Sequence, residues 1–151
     1  MFPGQGSQRK GMGEALFDQI TEFRDFEDEI NRLLGYSVRA VCLNNPGNRL
    51  SDTRYTQPCL FIVSALSWHE ALNDGLQVDF LAGHSLGEYN ALYAAGAFDL
   101  LTGVRLVKKR GELMSRQKNG GMAAIIGPGA DEILSVLREH ALDSLDIANF
   151  N

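Results

Sequence analysis

The chain is predicted to be an α/β protein, on three observations. Apolar residues recur at helical spacing in several stretches, and short apolar runs such as Val78-Asp79-Phe80-Leu81-Ala82 alternate with them. Gly and Pro clusters fall at the junctions between those stretches, where a chain changes direction. With 151 residues, 44% hydrophobic and 22% charged, the sequence has the size and composition of one globular domain that can bury a core.

Taken in order, residues 3 to 13 hold Pro3, Gly4, Gly6, Gly11 and Gly13 and read as a loop. Leu16, Ile20, Phe23, Ile30 and Leu34 then recur at three-, four- and seven-residue intervals with acidic residues between them, which predicts a helix that Gly35 stops. Residues 44 to 57, with Asn44, Asn45, Pro46, Gly47 and Asn48, read as a loop. Pro58 suits the first turn of a helix running to about Leu72. Val78 to Ala82 reads as a buried strand, Gly83 to Gly87 as a tight turn and Glu88 to Ala95 as an Ala-rich helix closed by Gly96. A further helix opens at Thr102 or Gly103 and runs to about Lys118. After Gly120-Gly121, residues 122 to 126 read as a strand, Asp131 to His140 as a helix and Ser144 to Ala148 as a second strand, which together start a second subdomain.

Lys plus Arg is 14 and Asp plus Glu is 19, a net charge of −5. There is no global basic field for a polyphosphate, so a nucleic-acid-binding module is not expected. Cys42 and Cys59 have neither CxxC spacing nor a His at zinc-ligand spacing. They read as reduced thiols of a cytoplasmic protein, with a single disulfide as the alternative, and no metal set is expected. No apolar run approaches the ~20 residues of a membrane span, and the N-terminus lacks the pattern of a signal peptide.

Chemistry concentrates in three places. Gly83-His84-Ser85-Leu86-Gly87 is a G-x-S-x-G elbow between an apolar run and a helix. Such a turn is tight enough to demand glycines on both sides, and it holds the Ser oxygen over a helix N-terminus. The Leu86 amide would then point where an oxyanion forms. The bland reading is a structural turn serine. The second place is Arg110, which falls in the apolar half of a helical wheel over 104 to 114, among Val104, Leu106, Val107, Gly111, Leu113 and Met114. A buried guanidinium needs an anionic partner, either an internal carboxylate or the carboxylate of a substrate. The third is Pro3-Gly4-Gln5-Gly6-Ser7-Gln8, a turn whose amides could face a small ligand but which lacks the Gly-Lys-Ser/Thr of a phosphate loop. None of His69, His84 and His140 stands out as the base that a nucleophilic serine needs.

Together these motifs resemble the malonyl-CoA:acyl carrier protein transacylase family of fatty acid and polyketide synthesis. The resemblance runs through Phe2-Pro3-Gly4-Gln5-Gly6-Ser7-Gln8, Thr56-Gln57-Pro58, Gly83-His84-Ser85-Leu86-Gly87-Glu88-Tyr89, the arginine helix from Val104 to Met114, Gly121-Met122-Ala123-Ala124-Ile125 and Asn149-Phe150-Asn151. The continuation Tyr89-Asn90-Ala91-Leu92 is most similar to discrete transacylases that serve modular polyketide synthases. The resemblance implies that Ser85 becomes O-malonylated, that the amides of Gln5 and Leu86 form the oxyanion hole, and that Arg110 clamps the malonyl carboxylate. Gln57 and Met114 would line the pocket. Malonyl-CoA would be a substrate, with no cofactor, and the thiol of an acyl carrier protein would take the acyl group in a ping-pong cycle.

The implied architecture is an α/β hydrolase-like large subdomain over 1–120 and the start of a ferredoxin-like small subdomain over 121–151, monomeric when complete. The family places a strand before the Phe-Pro-Gly-Gln-Gly motif and a catalytic His beyond the stretch matched here. The expectation is therefore a fragment of a longer transacylase that turns over poorly by itself. Two other classes share part of the pattern. A serine hydrolase, such as a thioesterase or a patatin-like lipase, has the elbow but no use for Arg110 or the Gln5 loop. A non-catalytic remnant would only bind coenzyme A or a carrier protein.

Overall fold

Helical apolar spacing dominates what the chain builds. The computed structural model describes residues 1–117 and 120–150, and these are mostly helical. The helices are α1 (Leu16–Gln19), α2 (Thr21–Leu34), α3 (Val38–Asn44), α4 (Thr53–Asn73), α5 (Gly87–Ala94), α6 (Leu100–Ser115) and α7 (Ala130–Glu139), with a short 3-10 stretch over Pro46–Ser51. Contacts divide the chain into two units, residues 1–118 and 119–151. The first unit holds α1 to α6 and the apolar core, and the second holds α7, none of whose residues is fully buried.

The predicted helix over Leu16 to Leu34 is two helices. Ile20 is extended (φ −90°, ψ 113°), which turns the chain so that Phe17, Ile20 and Phe23 all reach the core. Gly35 ends α2 as expected, in the left-handed region at φ 83°. Arg39, which drew no attention in the sequence, fastens this corner. Its guanidinium donates to Asp18, to both oxygens of Glu27 and to the Phe17 carbonyl, and those acceptors hold it still more firmly in its charged form, Glu27 first.

The loop predicted for 44 to 57 is a correction. Only its middle is irregular, because α3 runs into its first residue and the cap of α4 lies hidden among the turn formers. Ser37 accepts the Ala40 amide at 3.2 Å and starts α3. Asp52 accepts the Arg54 amide at 2.9 Å and starts α4. Pro58 therefore sits in the second turn of α4 rather than the first, where it leaves the Arg54 carbonyl without its usual partner. Helix α4 is buried almost all round from Thr56 to Leu66, as a central helix must be. It packs against α1, α3, α5 and α6.

Asp52 also sets a stability prediction. Its hydrogen bonds from the Arg54 side chain, first, and from the Arg54 amide hold the carboxyl below the usual carboxylate range. A depressed carboxyl contributes stability above its unfolded pKa of about 3.9, and that stability is lost as pH falls through the folded value. Asp52→Ala is expected to cost about 1 kcal/mol at neutral pH. Asp52→Asn keeps the cap and should flatten the loss of stability below about pH 4. Denaturant melts of the three proteins at neutral and acid pH check both.

Helices α5 and α6 lie close to their expected positions. The predicted end of α6 at Lys118 lies outside the described residues, as does Asn151. The strands predicted over 78 to 82, 122 to 126 and 144 to 148 are corrections. Among the described residues no strand ladder forms, and the one isolated bridge pairs Phe2 with Gly83 in parallel. A strand exists only through a neighbour's amides and carbonyls, and over this stretch the neighbour is Phe2 alone. Phe80, expected to be buried, is 91% exposed.

Cys42 and Cys59 are free, buried thiols of the core. The Cys42 thiol is pushed upward, first by its hydrogen bond with Cys59 and then by burial, so it stays protonated. Among the described residues no helix is long and apolar enough to cross a membrane.

Candidate active site

The elbow at Gly83 to Gly87 is set by backbone crowding. A Cβ on Gly83 would lie 2.0 Å from the carbonyl carbon and oxygen of Gly87. A Cβ on Gly87 would lie 2.3 Å from the Phe2 carbonyl oxygen, and one on Gly4 would lie 2.6 Å from that of His84. The obstructing atoms are backbone, so no side chain could move aside to admit a larger residue. Three glycines therefore let the N-terminal loop, the end of the 78 to 83 segment and the first turn of α5 meet. Two hydrogen bonds close the junction, from the Phe2 amide to the Ala82 carbonyl at 2.8 Å and from the His84 amide to the Phe2 carbonyl at 3.0 Å.

Ser85 sits at the apex with φ +53°. A non-glycine residue is strained in that region and stays there only where its surroundings impose it. Here they do: the Gly87 amide bonds the His84 carbonyl at 2.9 Å and the Glu88 amide bonds the Ser85 carbonyl at 3.2 Å, so the turn leads directly into α5. Ser85 itself is exposed, at the positive end of that helix.

The Leu86 side chain is fully buried, which fixes its backbone amide at the mouth of α5. Among the described residues that amide has no acceptor within the chain, and neither has the amide of Gln5. Gln5 follows Gly4, which packs on His84, so the loop lies directly beside the elbow. Ser7 holds the loop's shape by donating to the Gly4 carbonyl at 2.8 Å, and Gln5 Nε2 donates to Thr53 Oγ1 at 3.2 Å. Thr53, the first residue of α4, was not foreseen, and no sequence signal marks it as a partner of Gln5.

The arginine helix packs on α4 along a narrow stripe. A Cβ on Gly103 would lie 2.3 Å from Phe61 Cζ, and one on Gly111 would lie 2.9 Å from the Thr53 carbonyl oxygen. Such close approach buries Val104, Val107 and Gly111 but leaves Leu106, Leu113 and Met114 exposed, so the apolar half expected from the wheel is only partly covered. Arg110 stands at the edge of the stripe and is half-buried. Its Nη2 donates to Ser85 Oγ at 3.0 Å, and its guanidinium lies 5.9 Å from the centre of the Tyr89 ring. Among the described residues no Asp or Glu forms an ion pair with it. Met114, one turn on, accepts a hydrogen bond from Gln57 Nε2 at 3.0 Å. Gln57 is wholly buried and its Oε1 has no partner among the described residues.

The histidines separate. His69 has one ring nitrogen 2.6 Å from the Tyr93 hydroxyl and the other 3.3 Å from a Glu22 oxygen. Burial pushes the Tyr93 hydroxyl up to about 12, so it remains protonated at this contact. His84 neighbours Ser85 in the elbow. His140 is exposed and caps α7 in the second unit.

Residues 1–139 match the family model described as an acyl transferase domain. The chain belongs to the acyl transferase domain family. The chain is 52% identical over 152 aligned positions to a polyketide biosynthesis malonyl CoA-acyl carrier protein transacylase, PksC, of Bacillus subtilis. That alignment covers 100% of the chain and 52% of the relative, so the chain spans about half the length of the curated relatives it matches. A crystal structure of a malonyl CoA-acyl carrier protein transacylase from Burkholderia pseudomallei superimposes with a TM-score of 0.89 at 51% identity, over 95% of this chain and 49% of that one. A malonyl-transacylase solved in complex with its type II polyketide synthase acyl-carrier protein superimposes with a TM-score of 0.80 at 36% identity, over 94% of this chain and 47% of that one.

Proposed function

We propose that this acyl transferase moves a malonyl group from coenzyme A to the phosphopantetheine thiol of an acyl carrier protein, through an ester on Ser85. The observation that carries this reading is Arg110, a permanent cation bonded to the serine oxygen and without an internal carboxylate among the described residues. A nucleophile is not activated by a donor that never loses its proton. A cation in that place suits an acyl group that brings its own anion, one methylene away from the carbonyl under attack, as malonyl does. Arg110 then turns from Ser85 to the incoming carboxylate and holds it by two parallel hydrogen bonds.

In the first half-reaction Ser85 Oγ bonds to the thioester carbonyl carbon, the C–S bond breaks, and coenzyme A leaves as its thiol. The oxyanion between those events faces the amides of Leu86 and Gln5. In the second, the carrier thiol attacks the ester and the Ser85 hydroxyl is restored, so each half-reaction balances without a cofactor. Met114 forms the wall beside the malonyl group, and the buried Gln57 backs it through the bond to its sulfur. The proton that leaves Ser85 ends on the departing coenzyme A thiol. The names of the relatives support the substrate and the polyketide setting. The solved complex with a carrier protein supports the acceptor.

For the architecture, the reading is an α/β hydrolase-like subdomain over 1–120 and a ferredoxin-like subdomain begun over 121–151.

The test is incubation of the protein with malonyl-CoA and a phosphopantetheinylated carrier protein. Malonyl appearing slowly on the carrier, by a route lost in Ser85→Ala, is expected. Release of free malonate faster than transfer would make the protein a hydrolase, and neither transfer nor release would make it a binding remnant. Either result overturns the proposal.

A further inference from the structure

Asn90 is a polar side chain that the reaction above does not use, yet it is 1% exposed and lies one turn past the nucleophile on α5. Its Nδ2 donates to the Phe61 carbonyl of α4 at 2.8 Å, across 29 residues of sequence. Its Oδ1 has no partner among the described residues. A buried amide with half its capacity unmet is a cost to folding, and leucine has nearly the same shape without that cost. Core packing alone therefore does not account for an amide at this position.

Phe61 is also where the arginine helix is registered. Its ring fills the space left by Gly103 of α6, so closely that a Cβ there would lie 2.3 Å from Cζ. One residue of α4 thus meets the nucleophile helix through its carbonyl and the arginine helix through its ring. The ring also meets Tyr93 of α5 edge-on, with centroids 6.0 Å apart. At the other end of α5, Gly87 and Phe2 fix the entry to the helix. Ser85, strained at φ +53°, needs both ends held to keep its oxygen on Arg110.

We infer that Asn90 is a positioning residue: its hydrogen bond to Phe61 sets α5 against α4 so that Ser85 and Arg110 stay within reach of one acyl group. The kinetic part of this inference rests on the proposed malonyl transfer, whereas the geometric part does not.

The decisive variant is Asn90→Leu. Its melting temperature is expected to equal or exceed that of the parent protein, because the unmet amide is gone. Its crystal structure should show Ser85 Oγ and Arg110 Nη2 separated beyond hydrogen-bonding distance. Malonylation of Ser85 should slow about tenfold, since small misplacements of reacting groups cost rate steeply. Acylation from acetyl-CoA, which does not use Arg110, should slow less. A structure that keeps the contact, or a full malonylation rate in the folded variant, would overturn the inference. If the parent protein transfers no malonyl group, the functional reading has failed, and the crystallographic distance still decides the role of Asn90. If Asn90→Leu does not fold, Asn90→Ser, whose hydroxyl falls short of the Phe61 carbonyl, is read by the same two measurements.

Discussion

Ser85→Ala is expected to abolish the malonyl-enzyme and to lower transfer to the carrier by about 10³-fold or more, because no other group can form the ester. Mass spectrometry of the intact protein after mixing with malonyl-CoA checks the first part, and a carrier-malonylation assay checks the second. The fold should survive. Alanine adopts the strained apex about as poorly as serine, and the bonds that impose the turn come from backbone atoms of His84, Gly87 and Glu88. What the variant loses is the contact with Arg110. Ser85→Gly separates strain from chemistry. It should be equally inactive but more stable by about 1 kcal/mol, because glycine accepts φ +53° without the steric penalty. An ester that persists in either variant would move the nucleophile away from Ser85.

Arg110→Ala carries the second large effect. Removing one partner of a desolvated charge pair costs about 2–5 kcal/mol, which is roughly 30- to 5,000-fold in malonyl transfer. Acetyl transfer, with no carboxylate to hold, should stay near its parent rate or rise. The ratio of the two rates is the measurement. An equal fall in both would assign Arg110 to structure alone. Arg110→Lys should recover only part of the malonyl rate, because an ammonium is a point charge and cannot offer the parallel pair of N–H donors. The 3.0 Å bond to Ser85 also sets an expectation for the free protein. With its oxygen held by a cation donor, Ser85 should react slowly with neutral serine reagents, and faster in Arg110→Ala.

The residues that carry the chemistry were legible one motif at a time. The glycines of the elbow marked Ser85 because a turn that tight excludes side chains, and the structure supplies the atoms responsible, the backbone of Gly87 and Phe2. Arg110 was legible as an anomaly, a charge on an apolar stripe. Its partner was not, because Ser85 lies 25 residues away, in the elbow before α5. The cap Asp52 was present in the sequence but masked by the surrounding turn formers, so the first turn of α4 was read as loop, and α3, capped by Ser37, drew no reading. The strands were misplaced for a different reason. An apolar run shows that a segment prefers burial or pairing, and it carries no information about whether a neighbour is there to pair with.

Local rules therefore determined the helices, the elbow and the identity of the candidate nucleophile and clamp, since propensity, periodicity and the space around a glycine act over a few residues. Tertiary structure alone decided that Phe2 pairs with Gly83, that Gln5 hangs on Thr53, that Arg110 bonds to Ser85, and that Asn90 and Gly103 meet the same phenylalanine. Each of those contacts joins distant parts of the chain, and each forms only when folding around the α4 core brings those segments together.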